Sequence, residues 1–176
     1  MASDVAIAST VELAAAGDEV AFARIVADHR AEMVRVAYLV CSDWDTAEDA
    51  AGAALWIAWR KLPSLREPER LRPWLMAIAA NEARAIARKV RRHQVTELRL
   101  AADRPGDPNP EGTIDDVDLG NALGRLRPDD RVFVALRYLA DLDSSEIASL
   151  TGLSASGVRT RLSRVLDRLR EDLDHE

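Results

Sequence analysis

Apolar positions recur along this chain at three- and four-residue intervals and nowhere in sustained alternation, so the prediction is helices without strands. Phe22, Ile25, Val26, Met33, Val36, Ala37 and Val40 trace one face of a long helix. A shorter apolar helix at 11–16 precedes it, ended by Gly17, with Asp18 placed to cap the long one. Asp43 or Asp45 offers the next N-cap, and Asp45 with Glu48 has capping-box spacing. The helix that follows turns Ala47, Ala51, Ala54, Leu55, Ala58 and Leu62 inward until Pro63 stops it. Beyond a loop with Pro68 and Pro73, another helix starts near Trp74 and runs into a basic stretch.

Charge divides the chain. The net charge of −6 over 176 residues would argue against a nucleic-acid partner if it were spread evenly. It is not. Arg84, Arg88, Lys89, Arg91, Arg92 and Arg99 stand against Glu97, and Arg159, Arg161, Arg164, Arg168 and Arg170 stand against Asp167. Between these basic stretches lie Asp103, Asp107, Glu111, Asp115, Asp116 and Asp118, facing only Arg104. The acidic stretch also holds Pro105, Gly106, Pro108, Pro110 and Gly112, a composition that suits neither a helix nor a strand interior. We therefore expect an N-terminal helical domain at 1–95, an extended acidic linker at 96–117 and a C-terminal helical domain at 118–176. The fold class is all-α.

Catalysis finds no constellation. His29, His93 and His175 are scattered, Cys41 is the lone cysteine in an apolar run, and no phosphate loop or nucleophile elbow occurs. Asp43, Asp45, Glu48 and Asp49 sit at a helix start, where carboxylates complement the helix dipole, which favours that reading over a metal site. No enzyme activity, cofactor or metal is expected. The longest uncharged run, at 50–59, is too short to span a bilayer, and residues 1–13 lack the basic start of a secretory leader. A cytoplasmic protein without membrane insertion is expected.

The C-terminal segment carries the clearest mechanism. Asp143-Ser144-Ser145-Glu146 caps a helix with Ile147, Ala148 and Leu150 inward, and Gly152 suits the left-handed turn that ends it. Ser154 caps a second helix whose stripe is Val158, Leu162, Val165, Leu166, Leu169 and Leu173. Two helices joined by so short a turn form a helix-turn-helix, whose second helix enters the DNA major groove. Ser156, Arg159, Thr160, Ser163 and Arg164, flanked by Arg161, are the residues it would present there. An ordinary amphipathic hairpin is the competing reading.

These residues resemble a known family. Leu126-Arg127-Pro128-Asp129-Asp130-Arg131, Leu136-Arg137-Tyr138-Leu139, Ser145-Glu146-Ile147-Ala148 and the segment from Val158 to Arg164 look like region 4 of the extracytoplasmic-function (ECF) sigma factors. Ala16-Gly17-Asp18 with Ala21-Phe22, Ala47-Glu48-Asp49 with Trp59-Arg60, and Trp74-Leu75 with Ile78-Ala79 and Asn81 resemble their region 2. The resemblance implies a non-catalytic subunit that binds core RNA polymerase at the β′ clamp helices and β flap, recognises promoter DNA, and answers to an anti-sigma factor. It places Ser156, Arg159, Thr160, Arg161, Ser163 and Arg164 on the −35 duplex. It places the loop 65–71 and Asn81 at the melted −10 element, with Arg66, Arg70, Arg84, Arg88 and Arg91 supplying positive charge. Arg72 adds to that charge.

One face departs from the family. The family's Gln-Glu pair is replaced by Gly52 and Ala53, and a polar position by Ile57 beside Trp56. Asp49, Gly52, Ala53, Trp56 and Arg60 are expected to share the outward, polymerase-binding face. A glycine inside a helix costs about 1 kcal/mol relative to alanine, which suggests a close approach by backbone or partner. The alternatives are that this face packs on the protein's own helices, or that the chain is a sigma-like DNA-binding regulator with weakened polymerase binding.

Overall fold

The computed structural model describes residues 2–97 and 121–174, with side chains described at 8–90 and 121–174. The described residues are helical, without strands. Helix α1 (Ala2–Ala15) begins well before the expected 11–16, because its first residues form no apolar stripe for periodicity to detect. Gly17, at φ 98°, turns the chain into α2 (Glu19–Cys41), where the Asp18 carboxylate accepts from the Val20 and Ala21 amides at 2.9 Å. Asp43 rather than Asp45 caps α3 (Trp44–Lys61), accepting from the Thr46 amide at 2.7 Å. Leu62–Ser64 and Pro68–Arg70 form short 3₁₀ turns. Helix α4 (Leu71–Glu97) starts three residues before Trp74, because Pro73 falls in the first turn, where no intrahelical amide bond is lost.

After a helical turn at 121–125, helix α5 (Pro128–Val134) widens into a π-helical turn at Ala135–Leu139. Helix α6 (Ser144–Thr151) has the full capping box, Asp143 and Glu146 each bonding the other's backbone amide. Gly152, at φ 73°, leads to α7 (Ala155–Asp174), whose Gly157 amide donates to Ser154 Oγ at 3.1 Å. The expected 96–117 segment lies outside the described residues except for Thr96 and Glu97, which end α4.

Small residues let α2, α3 and α4 approach closely: Ala47, Ala50, Ala51, Ala54, Ala58, Ala79, Ala80 and Ala83 are all fully buried. The same apolar cluster continues into Val132, Phe133, Ala135, Leu136, Ile147, Val158 and Leu162. Thus the C-terminal helices sit on the N-terminal bundle. Helix α5 is buried almost all round and lies between α2 and α4 on one side and α7 on the other. A smaller cluster of Ala122, Leu126, Val134, Val165 and Leu169 reaches Leu39 of α2.

Candidate nucleic-acid and polymerase interfaces

Helix α7 is positioned by burial along one stripe and by charge at one point. Val158, Leu162, Val165 and Leu169 are buried; Leu166 is half-buried and Leu173 lies exposed in the last turn. On the opposite face Ser156, Arg159, Thr160, Ser163 and Arg164 are all exposed. Arg161 is not part of that face. Its guanidinium donates to Asp130 Oδ1 at 2.9 Å and lies 4.5 Å from the Phe133 ring centre. Over two residues of the helix Arg159 turns outward and Arg161 turns toward Asp130.

Asp130 is the hub of this arrangement and was not singled out by sequence reasoning. Buried in α5, it meets Arg161, Arg127 at 3.1 Å and Arg168 at 3.4 Å. Burial pushes its carboxyl upward, but hydrogen bonds from Arg161 and Arg127, with their charge, outweigh this and hold it below the usual carboxylate range. The only sequence signal was a pair of acids, Asp129 and Asp130, in the first turn of α5, and nothing local marks which of them is buried.

In the N-terminal bundle, Asn81, Arg84 and Arg88 recur at helical spacing on α4, and Arg88 donates to Asp129 of α5 at 2.7 Å. Arg91 lies on the same helix, its side chain outside the described residues. Arg66 is exposed on the loop, and Arg70 pairs with Glu67 at 2.7 Å. Arg72 faces inward across the molecule, bonded to Glu32 and to the carbonyls of Ala140 at 2.8 Å and Leu139 at 3.4 Å. It joins the two halves while keeping part of its guanidinium side chain exposed.

On α3, Asp49, Gly52, Trp56 and Arg60 are exposed and Ala53 is half-buried. Trp56 is 64% exposed, which excludes the reading that it packs in the bundle. Trp59 instead meets Phe22 edge-on at 4.7 Å, and Tyr38 stacks on Trp44 at 4.1 Å. Gly52 is not required by the chain's own packing, since a Cβ there would meet nothing within 4 Å. It opens one wall of an apolar groove of about 540 Å³ between α2 and α3, lined by Phe22, Val26, Leu55, Trp56 and Trp59 with Glu19 at its edge. The Arg30–Glu48 ion pair links the same two helices.

Among the described residues no group of His, Cys, Asp and Glu is arranged to hold a metal, and no helix is long and apolar enough to cross a membrane. Cys41 is half-buried, and burial raises its thiol above the ordinary range.

Comparison with known proteins agrees with this layout. Residues 25–93 match the Sigma-70 region 2 family and residues 116–169 match Sigma-70, region 4. A probable RNA polymerase sigma factor, RfaY of Xanthomonas campestris pv. campestris, is 32% identical over 91% of this chain, which spans 42% of that relative's length. The ECF RNA polymerase sigma factor RpoE of Cereibacter sphaeroides is 30% identical over 89% of this chain and 88% of its own. The sigma factor RpoE of Bartonella quintana, solved in complex with the anti-sigma factor NepR, superposes with a TM-score of 0.72 at 26% identity, covering 87% of this chain and 96% of that one. With both regions matched in order and the Cereibacter relative aligned along most of its length, the chain belongs to the sigma-70 family of RNA polymerase sigma factors, in its extracytoplasmic-function branch.

Proposed function

We propose that this chain binds core RNA polymerase through the exposed face of α3 and directs it to promoters, acting by binding and not by catalysis. Helix α7 reads the −35 duplex through Arg159, Thr160, Ser163 and Arg164, with Ser156 near its N-terminus. Asn81, Arg84, Arg88 and Arg91 of α4, with Arg66 and Arg70 of the preceding loop, hold the −10 strand. The two units then correspond to 1–95 and 118–176, joined by 96–117, and the protein works in the cytoplasm beside the polymerase. The observation that carries the reading is the split of α7 into a buried stripe, an Asp130-anchored arginine and an outward face of arginines and hydroxyls. Arginine pairs bidentately with guanine, and hydroxyls serve bases or phosphates.

An anti-sigma partner is part of the proposal, since the Bartonella relative was solved bound to one. A regulator that has lost polymerase binding is not favoured, because relatives aligned over most of their length are sigma factors. Reconstitution tests the whole reading. Adding the chain to core polymerase should yield run-off transcripts from a promoter selected by binding. Failure to co-purify with core polymerase would overturn it.

A further inference from the structure

Asp130 gathers more positive charge than its own burial calls for. Arg161 alone places both Nε and Nη2 at 2.9 Å from Oδ1 and packs on the Phe133 ring. Arg127 and Arg168 then share Oδ2, at 3.1 and 3.4 Å. Three guanidinium groups around one carboxylate carry a surplus of two positive charges. The anion is inside and the surplus is outside: the Asp130 side chain is 3% exposed, those of Arg127 and Arg168 64% and 52%. Arg127 reaches the carboxylate through Nε and Arg168 through Nη1, so each spends there one of a guanidinium's five donors. Folding needs one guanidinium on this carboxylate. The second and third add repulsion that an incoming anion would relieve.

The surplus lies beside the outward face of α7. Arg161, Arg164 and Arg168 recur at three- and four-residue spacing and share one flank of that helix, next to the face of Arg159, Thr160 and Ser163. Arg127, just before α5, comes to the same flank because it meets the carboxylate oxygen that Arg168 meets. A helix about 10–12 Å across fills a major groove about 12 Å wide, so its flanks lie against the phosphate backbones. We propose that Arg127 and Arg168, held together at Asp130, grip the phosphate backbone along one flank of α7 when that helix enters the groove. The planar fork of a guanidinium matches two phosphate oxygens. Contacts of this kind carry no sequence information; they fix the register and orientation in which the outward residues meet the bases.

This deepens the −35 reading and rests on it, and the test separates the two. The full-length chain is titrated with a fluorescein-labelled duplex selected by its binding, and with a scrambled one, from about 50 to about 200 mM salt. The double variant Arg127→Gln, Arg168→Gln should bind both duplexes about tenfold more weakly at low salt. Its slope of log affinity against log salt should flatten by about 1–2. Changing both arginines to lysine keeps the charge and should keep most of the slope. Arg24→Gln, which removes an exposed charge from α2, should leave the slope unchanged. Because Arg161 still pairs with Asp130, the urea midpoint of the glutamine variant should match that of the parent chain. An unchanged slope, or weakening confined to the selected duplex, would overturn the proposal. A lower urea midpoint, or a lysine variant as weak as the glutamine one, would make the pair structural and overturn it too. If Arg159→Ala loses affinity and the glutamine variant does not, only the backbone grip falls. If the parent chain binds neither duplex, the −35 reading falls and the grip falls with it.

Discussion

Asp130 shows how one buried carboxylate orders a surface. The net contribution of a buried ion network is small, but removing its central anion leaves three guanidinium groups without their partner. Asp130→Ala is therefore expected to destabilise the protein by about 2 kcal/mol, less than for a fully buried pair because the arginines keep solvent contact. Urea denaturation reads this directly. Acid should act in two steps. His29 is held below its ordinary 6.5 by burial, against the pull of Glu32 and Asp28, and Arg72 lowers it further. The unfolded chain therefore protonates His29 first, and stability falls as the pH drops from about 6.5 toward the lower folded value. Asp130, Asp43 and Asp143 are held below the ordinary 3.8, the last two by hydrogen bonds from helix-start groups. Their contribution is complete above that value and is lost as the pH falls through their folded values. Urea midpoints measured from about pH 8 to about pH 3 should show both steps, and His29→Gln should lose the upper one.

At the scale of elements, α7 and α3 present two kinds of recognition surface. On α7, exposed arginines lie over a buried stripe, so changing them should leave folding intact. Arg159→Ala or Arg164→Ala should each weaken binding to the matched −35 duplex by about 1–3 kcal/mol while leaving the melting temperature unchanged. Equal losses on scrambled duplex would reassign that arginine to phosphate. On α3, the exposed Trp56 beside the groove is an aromatic anchor with little to lose on truncation. Trp56→Ala should cost under about 1 kcal/mol of stability and about 2 kcal/mol or more of core-polymerase affinity. A stability loss of about 3–5 kcal/mol would instead mark it as a core residue. The helices themselves were legible from spacing and caps, because the periodicity of apolar residues and the chemistry of Asp18, Asp143, Gly152 and Ser154 are local.

The whole molecule adds what no element shows alone. Its two matched regions share one apolar cluster, and Leu39 of α2 packs against both that cluster and the smaller C-terminal one. Leu39→Asp would place a charge in that contact, which is unfavourable without a partner. The expected result is a larger radius of gyration with helix content by circular dichroism nearly unchanged. Collapse of both together would show that the C-terminal helices depend on the bundle to fold.

The sequence by itself determined the all-α class, the order of helices, the helix-turn-helix and the family, because these depend on short-range periodicity, capping and motif spacing. It also marked the exposed α7 residues and the outward Asp49, Gly52, Trp56 and Arg60 correctly as surface. Only the tertiary structure decided that Arg161 turns inward to Asp130, that Arg72 ties Glu32 to the end of α5, and that Asp129 meets Arg88. Each of these joins residues at least 31 positions apart. A charge run along a sequence carries no sign of which distant carboxylate or carbonyl will face it, because that is set by how the helices pack.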